Sequence, residues 1–261
     1  MAHSSEQDPP EDLLDGLSIL VVDDNAINRE FLVTGLRRLA RHVAVVSDGV
    51  EAIERCSEES FDAIVLDLHM PRMDGLATAM RIRELDGSSS QARLIILTAD
   101  TRPEERARVL EAGVDDYLTK PISIADLAAA IAALFDSGQK RQHSAGQASK
   151  PTLLIDRQRA LDASNNDPEL AQRLSAMLAA ELDKQLVPLD DWLAEGRIDR
   201  AAGQLHQWAG AAGFAGALRF AEACRDLRQG LLSDTEPAPG QAYLRFLRIA
   251  HATRAALASA S

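Results

Sequence analysis

Asp23 and Asp24 stand in tandem at the end of a short apolar run, residues 17–22, and Asp67 closes another, residues 61–66. Thr98 ends a third run, residues 94–97, and Lys120 follows a fourth, weaker one, residues 114–118. Three carboxylates gathered within about 5 Å would repel one another by roughly 3 kcal/mol per pair at an effective dielectric of ~20. They need a cation. A hard divalent ion, Mg²⁺ or Mn²⁺, suits carboxylate and carbonyl oxygens and leaves room for a phosphoryl group. Lys120 offers a mobile point charge for a phosphate oxygen, and the Thr98 hydroxyl a hydrogen bond. In that setting Asp67 becomes a nucleophile toward an incoming phosphoryl group, with the metal neutralising charge in transit.

Such residues matter only if the chain brings them to one place. Pro71 follows Asp67 by four residues and Asp74-Gly75 lie just beyond, so residues 61–66 read as a buried strand running into a loop. Residues 17–22, 43–46, 94–97 and 114–118 read as four more short strands. Helices are predicted over residues 26–39, 48–57, 76–85, 103–112 and 122–135, the last capped by Ser123 with Asp126 three residues on. Five strands alternating with five helices predict a doubly wound, five-stranded parallel sheet with helices on both faces. The ligand site of such a sheet lies outside the carboxyl ends of its strands. Asp23, Asp24, Asp67, Thr98 and Lys120 all fall on that edge.

At 261 residues the chain has room for two domains, each with its own core. A net charge of −12 argues against generic binding to nucleic acid or to an anionic membrane surface. Cys56 and Cys224 lie far apart and read as reduced thiols of a cytoplasmic protein. No apolar stretch is long enough to span a bilayer. Residues 1–16 are acidic and lack a signal-peptide pattern, so a flexible tail is expected there. Residues 137–150 are small, polar and without period, the composition of a flexible linker.

Beyond the linker no strand pattern recurs. Asp167-Pro168-Glu169 opens a helix, with Asp167 as cap and Pro168 at the first helical position. Leu170, Leu174, Met177, Leu178 and Leu182 make one apolar stripe, and Pro188 is expected to kink or interrupt the run. Further helices are predicted over residues 199–212, 216–232 and 241–258, giving four main antiparallel helices and an up-and-down bundle. Around His206, Gly203, Gly210 and Gly213 fall at −3, +4 and +7, on the histidine's own face. Each glycine costs about 1 kcal/mol relative to alanine in a helix. Two readings follow: close helix packing on small residues with His206 incidental, or a partner protein brought up to an exposed imidazole. A neutral ring nitrogen with a pKa near ~6.5 is a competent nucleophile.

Residues 17–136 resemble the receiver domain of bacterial two-component signalling, a flavodoxin-like α/β fold. The resemblance rests on Val21-Val22-Asp23-Asp24-Asn25 with Asn28-Arg29, on Leu66-Asp67-Leu68-His69-Met70-Pro71-Arg72-Met73-Asp74-Gly75, on Leu97-Thr98-Ala99, and on Tyr117-Leu118-Thr119-Lys120-Pro121. It implies that Asp67 is the phosphoacceptor, Asp24 a direct metal ligand, Asp23 a ligand through water and the His69 carbonyl a further ligand. It implies also that Thr98 and Tyr117 form a switch pair, that Lys120-Pro121 is cis, and that His69 and Asp100 tune the lifetime of an aspartyl phosphate. The opening is most similar to receivers of hybrid sensor kinases.

Residues 151–261 resemble a histidine phosphotransfer domain, an all-α four-helix bundle, through His206 and Gly210, Gly213-Phe214-Ala215-Gly216 and Ala223-Cys224-Arg225-Asp226-Leu227. By that resemblance His206 is the phosphorylated residue. Trp208 and Ala209 stand where the motif usually has leucine and lysine, which removes a charge that helps hold phosphate. The expected function is a phosphorelay in which Asp67 and His206 exchange a phosphoryl group, with a sensor histidine kinase and a downstream response regulator as partners. The chain would phosphorylate itself on Asp67 as a phosphotransfer intermediate, and kinase activity is not expected of it, since it contains no Gly-x-Gly nucleotide loop. The alternative is an adaptor whose receiver switches conformation and whose bundle docks a kinase without carrying phosphate.

Overall fold

Strand β3 (Ala63–Asp67) is buried at every position, as a central strand covered by helices on both faces must be. In the computed structural model, which describes residues 13–99, 103–136, 153–233 and 240–258, it lies in a five-stranded sheet. The other strands are β1 (Leu14–Val22), β2 (Ala40–Val46), β4 (Arg93–Thr98) and β5 (Asp116–Thr119). They alternate with α1 (Ala26–Leu36), α2 (Gly49–Glu58), α3 (Gly75–Arg83), α4 (Pro103–Glu111) and α5 (Ile124–Ala133). The strand order is β2-β1-β3-β4-β5, and every pair is parallel. Strand order reverses between β1 and β3, so a crevice opens there, at the carboxyl ends that carry Asp23, Asp24 and Asp67.

Helix α2 starts one residue and α5 two residues inside the expected bounds, where Asp48 and Ser123 are caps; α1 starts as expected and α3 one residue earlier. Asn25, Asp48, Asp74 and Ser123 each accept backbone N–H bonds at the start of α1, α2, α3 and α5. One expectation is corrected. Strand β1 begins at Leu14, which pairs with Ala40 and is fully buried, so residues 14–16 belong to the sheet and not to a tail. The rest of the expected tail through residue 12, the linker over residues 137–150, and Asp100 lie outside the described residues.

Helices α6 (Arg157–Ala163), α7 (Pro168–Ala194), α8 (Ile198–Phe214), α9 (Leu218–Leu232) and α10 (Gly240–Ala258) complete the chain. Four long helices pack in a cycle: α7 on α8, α8 on α9, α9 on α10, and α10 on α7. Trp208, Phe220 and Phe246 meet at their centre with ring centroids 5.8–6.1 Å apart. Pro188 does not interrupt α7, contrary to expectation. A proline inside a helix costs ~3 kcal/mol, and the buried leucines on either side, Leu182, Leu186 and Leu189, hold the helix in register against that cost. Cys56 and Cys224 are free, buried thiols, and burial pushes the Cys56 thiol up to about 11. Among the described residues no helix is long and apolar enough to cross a membrane.

The sheet unit and the helical unit share one hydrophobic core. Helix α1 packs on α7 and α8, and Phe31 of α1 stacks on Phe214 of α8 with centroids 4.0 Å apart. Two ion pairs flank that contact, Arg38–Asp167 at 2.7 Å and Arg173–Glu30 at 2.6 Å. A Cβ at Gly213 would lie 2.9 Å from the Pro121 ring, so α8 approaches the β5–α5 loop only because residue 213 has no side chain. Urea unfolding of Phe31→Ala, Phe214→Ala and the double variant should show a coupling of about 0.5–1.5 kcal/mol, the range for aromatic pairs. Additive losses would mean that the two rings do not meet in solution.

Candidate functional site

The turns that follow β1, β3 and β5 bring three carboxylates and one ammonium together. Asp23 is 1% exposed, Asp67 3% and Lys120 6%. Lys120 Nζ donates to Asp23 Oδ2 and to Asp67 Oδ1, each at 2.7 Å. Burial alone would depress the lysine, but the two carboxylates outweigh it and hold the ammonium protonated above its ordinary range. Asp23 is held from its own side as well. Asn28 Nδ2 donates to both of its oxygens at 3.1 Å, the Asn25 amide donates at 2.9 Å, and Arg29 donates to its carbonyl.

Asp67 depends on the loop behind it. A Cβ at Gly75 would stand 2.2 Å from the Asp67 carbonyl oxygen, so only glycine lets the start of α3 close under the end of β3. The Gly75 amide donates to the Leu68 carbonyl at 2.8 Å and seals that turn. Thr98 ends β4 with no exposure, and its carbonyl accepts from the Lys120 amide at 2.7 Å, which ties the ends of β4 and β5 together. Tyr117 is buried one strand over, and the Lys120–Pro121 bond is cis.

Asp24 is the more open carboxylate, and burial together with the charges of Asp23 and Asp67 raises it to about 7. One oxygen of each of Asp23, Asp24 and Asp67 lies within 4.8 Å of the others. With all three carboxylates ionised, one ammonium leaves two negative charges in excess in a mostly buried site. Oxygen-only donors with that charge fit a hard divalent cation such as Mg²⁺.

His206 lies beside this cluster, and here the structure departs from expectation. The imidazole is 7% exposed, not presented to solvent, because α8 is laid across the carboxyl edge of the sheet. Its ring centroid is 4.5 Å from that of His69, with the planes at 88°. Gln207 Nε2 donates to Asp24 Oδ2 at 2.5 Å. A Cβ at Gly210 would be 3.5 Å from the Lys120 side chain, so this glycine also faces the sheet unit. A cleft of about 670 Å³ opens beside the contact, lined by Asp24, His69, Asp74, Gln204, His206 and Gln207 among others. His42 and His251, expected at the surface, are exposed. Gln207 was missed, and no sequence signal marks it, since a glutamine beside a helical histidine reads as an exposed residue. Asn28 had only the signal of its place in the receiver motif.

A family model described as response regulator receiver domain matches residues 19–132. Residues 19–132 are a response regulator receiver domain. The chain is 30% identical over 214 residues to the sensor protein GacS of Pseudomonas syringae pv. syringae, a match covering 79% of this chain and 24% of that protein. It is 41% identical over 116 residues to the response regulator MprA of Mycobacterium tuberculosis, covering 44% of this chain and 49% of that protein. The chain therefore spans about a quarter of the length of GacS and half that of MprA. Among solved structures, the receiver domain of a Pseudomonas aeruginosa PAO1 sensor histidine kinase, with a magnesium ion coordinated in its active site cleft, is 33% identical. That match covers 47% of this chain and 99% of the other, with a TM-score of 0.43. The receiver ends well before the GacS match is exhausted: residues 19–132 are less than half of the chain, against 79% matched.

The receiver's raised Asp24 gives a pH signature. The unfolded chain releases this proton near pH ~4, the folded receiver near 7. Stability from this group is therefore full at low pH and is lost as pH rises through that window. A divalent cation needs the ionised form, so added Mg²⁺ should raise the melting temperature more at pH 8 than at pH 6. Asp24→Asn should raise the metal-free melting temperature at pH 8 and remove the response to Mg²⁺. Equal Mg²⁺ responses at the two pH values would contradict this account of Asp24.

Proposed function

We propose that this chain is a phosphorelay protein in which Asp67 accepts a phosphoryl group and exchanges it with His206. On this reading residues 17–136 are the receiver, residues 151–261 a histidine phosphotransfer domain with a four-helix bundle, and residues 137–150 the linker. The observation that carries it is the seating of His206 on the carboxylate edge, its ring against His69 and its neighbour Gln207 on Asp24. The reach of the GacS match beyond the receiver supports it. A sensor histidine kinase and a second response regulator are the partners this function requires.

An Asp67 carboxylate oxygen forms a bond to phosphorus while the donor's bond to phosphorus breaks and its electron pair leaves with the donor. A neutral ring nitrogen of His206 then bonds to phosphorus as the P–O bond to Asp67 breaks, and that electron pair returns to the carboxylate. The proton on the other ring nitrogen passes to water. Asp23, Asp24, Asp67 and the His69 carbonyl would hold Mg²⁺, which neutralises charge on the phosphoryl oxygens when bound. Lys120 lies against Asp67 and holds a phosphoryl oxygen there, Thr98 donates its hydroxyl, and Thr98 with Tyr117 reports the occupied state to the surface. Positioning accounts for most of the rate in such transfers.

The test is to incubate the full chain with acetyl phosphate or a cognate kinase and Mg²⁺, and to follow label by its chemical stability. Alkali-labile label should fall to background in Asp67→Asn, and acid-labile label should vanish in His206→Gln. Label that survives both substitutions would end the proposal.

A further inference from the structure

We infer that Gln207 is a positioning residue for the receiver's cation site: from α8 it holds the Asp24 carboxylate where a divalent cation needs it, so cation binding and the docking of α8 reinforce each other. This rests on the reading of Asp23, Asp24 and Asp67 as that site, and it does not require His206 to carry phosphate.

The three carboxylates are held in different ways. Asp23 accepts hydrogen bonds from Asn25, Asn28 and Lys120, and Asp67 accepts one from Lys120, all buried and all from within the receiver. Asp24 stands at the more open end of the cluster, on the wall of the cleft. Its Oδ2 accepts from Gln207 Nε2 at 2.5 Å, a bond that crosses 183 positions of sequence and comes from the helical unit. A carboxylate free to rotate about its side-chain bonds must be ordered before it can bind, and that ordering weakens affinity. Gln207 orders Asp24 before the cation arrives.

The amide and a cation do not contend for one place. An ionised carboxylate accepts along about four directions, and Gln207 takes one of them. A cation needs one oxygen from each carboxylate, and such oxygens lie within 4.8 Å of one another while the Gln207 bond is made. Carboxylates that bind metals are themselves hydrogen-bonded, and loss of such an outer partner weakens binding by about 10–100-fold. The cleft of about 670 Å³ that Asp24 and Gln207 both line gives a hydrated ion a way in while α8 stays docked. Gln207 keeps its reach because α8 is anchored on the receiver farther along. Phe214 stacks on Phe31 at 4.0 Å, and Gly213 lets the helix close on Pro121. Coupling between two binding events is reciprocal, so the factor that the docked amide adds to cation affinity is returned by the cation to docking.

The experiment uses the full chain, with Mn²⁺ as the probe. Its dissociation constant is measured by isothermal titration calorimetry for the natural chain and for Gln207→Leu, which keeps most of the bulk and loses the donor. Circular dichroism melts show that both are folded. Gln207→Leu should bind Mn²⁺ about tenfold more weakly. At saturating Mn²⁺ the backbone amide signals of residues 204–210 should be broadened in both proteins, since apolar contact keeps α8 beside the ion. Unchanged binding in Gln207→Leu overturns the inference. Tighter binding overturns it as well, because the amide would then be keeping the cation out. Weaker binding with the broadening lost also overturns it, since Gln207 would then serve docking alone. A natural chain that binds no Mn²⁺ removes the cation site and this inference with it, whereas a chain that never labels His206 ends the relay and leaves the role of Gln207 intact.

Discussion

One buried ammonium between two buried carboxylates organises this molecule. Lys120 is reached from Asp23 at the end of β1 and from Asp67 at the end of β3, and it follows β5 directly. Burying such groups is costly unless their geometry and hydrogen bonds are nearly complete. The ends of three strands must therefore hold their mutual position closely, and the Thr98 carbonyl bond to the Lys120 amide adds the end of a fourth. The sheet's parallel register makes this possible, because Ile19 to Val22 of β1 and Ala63 to Leu66 of β3 run in step to the same edge. Charge is deliberately left over. The lysine balances one carboxylate of three, so the cluster favours a further cation or donor, and at Asp24 the Gln207 amide donates.

The approach to the sheet unit explains part of the odd composition of α8. A helix can bring a histidine onto the edge of a sheet only if its neighbours do not strike the loops around the site. Gly213 clears Pro121, whereas a Cβ at Gly210 would meet Asn28 and Lys120 at ordinary contact distance, while Leu205, Trp208 and Ala212 point into the helical core and are fully buried. The glycines weaken the helix by about 1 kcal/mol each. Phe214, stacked on Phe31, offsets part of that loss through contact with the receiver rather than within the helical unit. Of the two readings open for the small-residue stripe, the packing one holds at Gly210 and Gly213, which face the carboxylate edge of the sheet, while Gly203 faces open space.

The receiver was legible because each signal was local. An apolar run ending in Asp, Thr or Lys reports a strand and its functional end within a few residues, and the period of the helices fixed the sheet's class. Strand β1 was cut short because Gly16, at φ +81°, breaks the alternation of its first residues. In α7, Pro188 reads as a breaker locally, but continuity was decided by leucines whose partners lie on other helices. His206 was legible as a special residue but not as a buried one. Its burial is a property of the approach between two units, set by Phe31–Phe214 and by ion pairs between residues more than a hundred positions apart. No window of sequence contains that information.

The docked arrangement sets a condition on onward traffic. On the relay reading, with His206 7% exposed, a second receiver would reach it only after α8 leaves α1. The exposed ion pairs at the rim contribute about 0–1 kcal/mol each, so apolar contact carries the interface. Both surfaces belong to one chain, and return is therefore fast against any competitor at ordinary concentration. On the relay reading, the transfer supplies its own release. A phosphoryl group on His206 sets about two negative charges against Asp24 and its neighbours, and each close pair repels by roughly 3 kcal/mol at 5 Å and a dielectric of ~20. A divalent cation shared between them would soften that repulsion, and its departure would restore it in full. On that reading the residual charge beside Asp24 works against the contact, which apolar packing holds, once His206 is loaded.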